Sequence, residues 1–153
     1  WCTGSGGLIG FEDLCHRVVG SLDKNIKVFV GADSGISSRV VTFCKTICIH
    51  GLEAHGFYFF SKNKIGAAQF PNLISRITEE ARISIELAEI LTTDYKIPLE
   101  KIEVHLDVSP YENSAATSKF SDMLKGYVVG AGFDCKIKPN AWASQSVADK
   151  HSK

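Results

Sequence analysis

The chain has 153 residues, 44% of them hydrophobic and 22% charged, a make-up that fits one compact domain around one sizeable core. Seventeen lysines and arginines cancel seventeen aspartates and glutamates. The global field therefore cannot draw in polyanions, and any nucleic-acid binding has to come from a local patch. Five cysteines (Cys2, Cys15, Cys44, Cys48, Cys135) are an odd number without CxxC or Cys/His metal spacing, which argues against a zinc site and for free thiols in a reducing cytosol. No apolar run approaches the length of a membrane span, so a cytoplasmic, membrane-free setting is expected.

Residues 1–10 carry neither an initiator Met nor a signal-peptide pattern and read as a flexible lead or processing remnant, leaving residues 11–153 as a single domain. The TGSGG run within that lead is not a phosphate-cradling loop, because no strand precedes it. Phe11, Leu14, Cys15, Val18, Val19 and Leu22 recur at helical spacing and predict a short amphipathic helix. Three strand-like runs follow, Ile26 to Ala32, Arg39 to Ile49 and Gly56 to Phe60, rich in β-branched and aromatic residues and parted by short polar breaks. They read as an antiparallel meander. Cys44 and Cys48 share a face of the second run but lie too far apart to bridge.

From Asn72 to about Thr93 the period changes to 3.6, with Asn72 as the cap after Pro71. Lys101 to Val108 alternates as a strand, Ser118 to Val129 is helical with Gly130 and Gly132 as stops, and Cys135 to Ile137 is a short strand before Pro139. A last helix starts near Ala141. The order β-β-β-α-β-α-β-α predicts an α/β fold with one five-stranded mixed sheet, the meander being continued by parallel strands through right-handed crossovers, with helices on both faces.

Aspartate is disfavoured inside strands, yet Asp33 closes the first apolar run (VFVGAD) and Asp107 the fourth (VHLD). If those strands are parallel neighbours, both carboxylates meet on the rim where open α/β sheets place ligands. On the long helix, Leu73, Ile77, Ser84, Ala88 and Leu91 cluster on one face, and Glu80 falls among them. A glutamate on the sheet-facing stripe is costly unless it is paired or bound to metal. In the last helix Asp149 lies beside the packing side formed by Ala143, Val147 and Ala148, within reach of the same rim. Taken singly, each strand-end aspartate reads as a turn cap; taken with Glu80 in this strand order, they read as a metal site. Hard oxygen donors select Mg²⁺ or Mn²⁺, one or two ions, and such ions can activate water and stabilise the leaving oxygen in phosphodiester hydrolysis.

The same residues carry a resemblance. Three strands, a helix with a core-facing Glu, a strand ending in Asp and a final helix bearing Asp look like the RNase H superfamily. More closely, GADS (Gly31 to Ser34), the helix around Glu80, VHLDV (Val104 to Val108) and the run from Lys136 (KIKPNAWASQSVADKHSK) resemble the YkuK-like family of RNase H-related bacterial proteins. The resemblance implies an RNase H-like fold, nuclease chemistry on RNA, DNA or a hybrid, and Asp33, Glu80, Asp107 and Asp149 as metal ligands and catalytic set.

Around that set, His105 lies two residues from Asp107 on one strand face and is expected either to contact phosphate or to be a satisfied structural histidine. Lys136, Lys138 and Lys150 cluster beside the rim as an anion-binding edge, whereas Lys62 and Lys64 read as solvated. Ser34 either donates to a bound phosphate or caps the turn after its strand. Trp142 reads either as a stacking surface for a base or, preferred, as a partly buried anchor for the last helix. His16, His50, His55 and His151 have no common spacing that suggests zinc. The competing functions are a non-catalytic RNase H-fold module binding nucleic acid or a protein partner, and a metal-dependent hydrolase of small phosphorylated molecules.

Overall fold

The computed structural model describes residues 1–51, 56–110 and 116–153; His55 lies outside them. Six strands form one sheet: β1 (Cys2–Thr3), β2 (Ile26–Ser37), β3 (Val40–Gly51), β4 (Phe57–Gly66), β5 (Ile102–Leu106) and β6 (Asp134–Lys136), in the order β1-β4-β3-β2-β5-β6. The meander β2-β3-β4 is antiparallel, and β2 with β5 and β5 with β6 are parallel, as the element order requires.

Two features depart from the sequence reading. The sheet has six strands and not five, because Cys2 and Thr3 pair with Phe60 and Phe59 and turn the expected flexible lead into an edge strand. Trp1 stacks on Phe11 at 5.5 Å between ring centroids, which ties that lead to the first helix. Secondly, β2 does not stop at Asp33. It runs on through Ser37, turns through Ser38 and Arg39, and pairs with β3 along its whole length, Asp33 opposite Cys44 and Ser37 opposite Val40. The cross-strand ladder outweighs the weak strand propensity of DSGIS.

Helices cover both faces. On one side α1 (Phe11–Gly20), α2 (Leu73–Thr93) and α3 (Ser121–Gly130) bury Leu14, Val18, Ile77, Ala81, Ala88, Leu91, Leu124 and Val128 against Val28, Val30, Ile47, Phe59 and Val104. At roughly 25 cal/mol per Å² of apolar surface removed from water, this layer dominates the stability of the domain. Asn72 caps α2 by accepting from the Ser75 N–H at 2.9 Å, with the reciprocal Ser75 hydroxyl completing a capping box.

On the other side sits the C-terminal helix, π-helical over Ala143–Ala148 and continuing as α4 (Asp149–Ser152). Its seat on β2 is made by glycines: a Cβ at Gly31 would stand 2.8 Å from the Ser144 nitrogen, and one at Gly35 2.6 Å from the Ser152 carbonyl oxygen. Only hydrogen at those positions lets helix and strand approach this closely. Trp142 anchors the helix start, its ring 4.9 Å from Phe29 and 5.6 Å from His105. All five cysteines are free. Among the described residues no helix is long and apolar enough to cross a membrane.

Candidate metal centre

The parallel register of β2 and β5 places the two strand aspartates. Ala32 pairs with Leu106, the last residue of β5, so Asp33 and Asp107 each follow immediately on that pair. Alternation along both strands then decides the side. Val30 and Val104 enter the core under α2, as does Val108, while Phe29 and Gly31 face the C-terminal helix. Asp33 and Asp107 therefore belong to the C-terminal-helix side, where α4 brings Asp149. Glu80 comes from α2 on the opposite side, and Ser34, pointing that way from β2, meets it.

Each carboxylate has a partner. The Ser152 hydroxyl donates to Asp33 Oδ2 at 2.6 Å, and the Ser34 hydroxyl to Glu80 Oε1 at 2.6 Å. Lys138 Nζ stands 2.8 Å from Asp107 Oδ1, and Lys153 Nζ 2.8 Å from Asp149 Oδ1. Asp33 and Glu80 are the buried members, at 8% and 6% exposure. Burial above all pushes the Glu80 carboxyl up to about 8, offset in part by the Ser34 hydroxyl and reinforced by the charges of Asp33 and Asp107. Asp33 is raised for the same leading reason, with Asp107 and Asp149 adding to the rise. Asp33 thus feels the charges of Asp107 and Asp149, and Glu80 those of Asp33 and Asp107.

Observations on this rim point both for and against a hard divalent cation. The donor set is all carboxylate oxygen, and two of the acids are held in the protonation-prone state that a nearby cation would reverse. Against this, among the described residues no three Asp, Glu, His or Cys side chains converge into a ready cage. The donors are hard carboxylate oxygens of the kind Mg²⁺ or Mn²⁺ takes, and each serine hydroxyl engages only one oxygen of its carboxylate.

The other expected contacts divide. Lys136 and Lys150 are exposed, whereas Lys138 is committed to Asp107. Of the two expectations for His105, contact with phosphate or a satisfied structural histidine, its surroundings match the second. It has no exposed surface, its Nδ1 accepts from the Ala143 N–H at 3.0 Å, and its Nε2 lies 2.9 Å from Glu103 Oε1. Burial lowers its affinity for a proton despite Glu103. It is a structural histidine that fastens the C-terminal helix to β5. Ser34 turns to Glu80 instead of capping a turn.

Sequence reasoning missed Ser152 and Lys153, whose partners lie on another element or one turn back. It also missed the spacing of Gly31 and Gly35, four apart on one strand face, which is the legible sign that a backbone packs there. No curated protein and no solved structure matches the chain. Residues 10–153 match the ribonuclease H-like family, in keeping with the YkuK-like features of the sequence, and the chain belongs to that family.

Proposed function

We propose that this domain is a divalent-metal-dependent nuclease in which Asp33, Glu80, Asp107 and Asp149 hold Mg²⁺ or Mn²⁺. The observation that carries the reading is the register of β2 and β5, which sets Asp33 and Asp107 side by side just past the pair Ala32–Leu106, with Glu80 electrostatically coupled to both. When bound, the metal would supply Lewis acidity toward a phosphodiester and a site for the attacking water. The protein's own groups do the rest. Burial of Asp33 and Glu80 excludes water from two of the donors, so their attraction for a cation is little screened. Ser34 and Ser152 hold those donors in orientation, and exposed Lys136 and Lys150 offer charge to the phosphate backbone of RNA, DNA or a hybrid.

The test is cleavage of end-labelled single strands, duplexes and RNA–DNA hybrids in Mg²⁺ or Mn²⁺. Wild type is expected to cut at least one class and Asp107→Asn to lose about 10–100-fold or more in rate, the scale on which loss of a group that orders a metal acts; equal behaviour of the two overturns the assignment. A second reading is favoured by the occupied carboxylates: a non-catalytic RNase H-fold module that binds nucleic acid or a protein partner, with Lys138 and Lys153 as permanent counter-ions. Retained nucleic-acid binding without cleavage in either metal selects it.

A further inference from the structure

Away from the acids, β3 and β4 frame a cleft of about 410 Å³ lined by Cys48, His50, Phe57, Tyr58 and Trp142. Sites for small organic groups span roughly 300–1,000 Å³ and are mostly apolar with a few polar groups, as here. The sheet register explains the wall. Phe29 pairs with Cys48 and Cys48 with Tyr58, and directly paired residues share a face, so Cys48, His50 and Tyr58 stand on the side where Trp142 packs on Phe29. Trp142 and Tyr58 are half-buried, and their described ring neighbours meet them at 37° to 78°, none parallel. Phe60, next on that face, already carries His151 flat upon it at 3.7 Å and 6°. The Tyr58 hydroxyl, 3.3 Å from His151 Nε2, and the exposed His50 ring supply polar contacts.

Positive charge continues from this cleft. Beyond Phe60 the same face of β4 carries the exposed Lys62 and Lys64, and α4 adds the exposed Lys150. Among the described residues none of the three makes an ion pair, unlike Lys138 and Lys153. Lys62 and Lys150 lie near enough to His151 that their charges add to burial in lowering its proton affinity. We infer that the cleft takes one unpaired base of a single-stranded nucleic acid, stacked on Trp142 and Tyr58, with the adjoining phosphates on Lys62 and Lys150. This rests on the reading above only in taking nucleic acid as the ligand, and it requires no metal. Aromatic faces beside lysines that track a backbone are the chemistry of single-strand binding. The bases of a duplex are paired and stacked inward and cannot enter. Lysines spread over β4 and α4 suit a strand, which carries a charge at every nucleotide, better than one terminal phosphate.

The test is fluorescence anisotropy of labelled oligonucleotides about ten nucleotides long, with EDTA present. Single strands are expected to bind about tenfold or more tightly than duplexes of equal length. Tyr58→Leu is expected to weaken single-strand binding about 5- to 150-fold, the worth of one stacked base, and His50→Ala, at an exposed position, to weaken it a few-fold. In a Trp1→Phe background the strand is expected to quench the emission of Trp142; if Tyr58→Leu does not fold, His50→Ala and this quenching decide. Equal binding of duplex, unchanged affinity in the folded variants, unquenched Trp142, or adenosine monophosphate bound as tightly as the strand overturns the inference. So does the absence of any binding in EDTA. The nuclease reading stands or falls separately, by cleavage in Mg²⁺ or Mn²⁺.

Discussion

Ser152 and Asp33, 119 positions apart, are joined by a hydroxyl-to-carboxylate hydrogen bond of 2.6 Å that ties α4 to the middle of β2. Both groups are buried, at 2% and 8% exposure. Removing the hydroxyl leaves a buried carboxylate oxygen unsatisfied, so Ser152→Ala is expected to cost about 1–3 kcal/mol in urea unfolding. A loss below a few tenths would mean that the helix end is not held by this bond.

Asp33 itself opposes folding in the absence of a cation, because burial penalises its charged form. Asp33→Asn is expected to raise the metal-free melting temperature while abolishing the rise that Mn²⁺ gives the wild type. Differential scanning fluorimetry with and without metal reads both effects. A variant that still gains stability from Mn²⁺ would show the ion to be bound elsewhere.

The Glu80 carboxyl, held near 8 by burial, gives a pH signature. Its folded value lies above its unfolded one, so the native state holds the extra proton. Stability from this group is complete below the unfolded value near 4.5 and is lost as pH rises through 8. His105, whose folded value is lowered, works the other way and loses stability as pH falls. The comparison must therefore be with Glu80→Gln. Between pH 5 and pH 8 the stability difference between that variant and metal-free wild type is expected to widen by a few kcal/mol, since a one-proton difference is worth about 1.4 kcal/mol for each step in pH. Parallel curves would contradict it.

Gly31→Ala places a methyl group 2.8 Å from the Ser144 nitrogen, a backbone atom that cannot swing aside. Overpacking of this kind costs about 1–3 kcal/mol, and here it also lifts the helix that carries Asp149. Unfolding in urea combined with hydrogen exchange at residues 143–152 checks both, with faster exchange expected there and not in α2. His105→Leu, by contrast, is expected to cost roughly 2–4 kcal/mol by stranding Glu103 and the Ala143 N–H, with nucleic-acid affinity of the folded protein unchanged. A fall in affinity at constant melting temperature would restore His105 to the binding surface.

Most of the architecture could be read from pattern. The change from alternating to 3.6-residue periodicity at Asn72, the Asn72 cap and the placement of Glu80 on the buried stripe of α2 all follow from local rules, and the structure keeps them. What pattern could not supply were interactions that exist only after the chain has closed on itself. Polar DSGIS extends β2 because β3 offers it a partner residue for residue. Cys2 and Thr3 become a strand because β4 has a free edge. The rim was half legible: the acids announce themselves by sitting where acids are costly. Their partners, Ser152 and Lys138, are residue types found on every surface and carry no such mark.

The sheet separates the acids into two independently supported groups. Glu80 rides on α2 over the main core, whereas Asp33, Asp107 and Asp149 are held by the strands and the helix beneath Trp142. A cavity cut under Ile77 would loosen a single carboxylate, while one cut at Phe29 would loosen three at once. Tolerance to damage is thus lopsided in this domain, and the thinner layer is the one that holds three of the four acids.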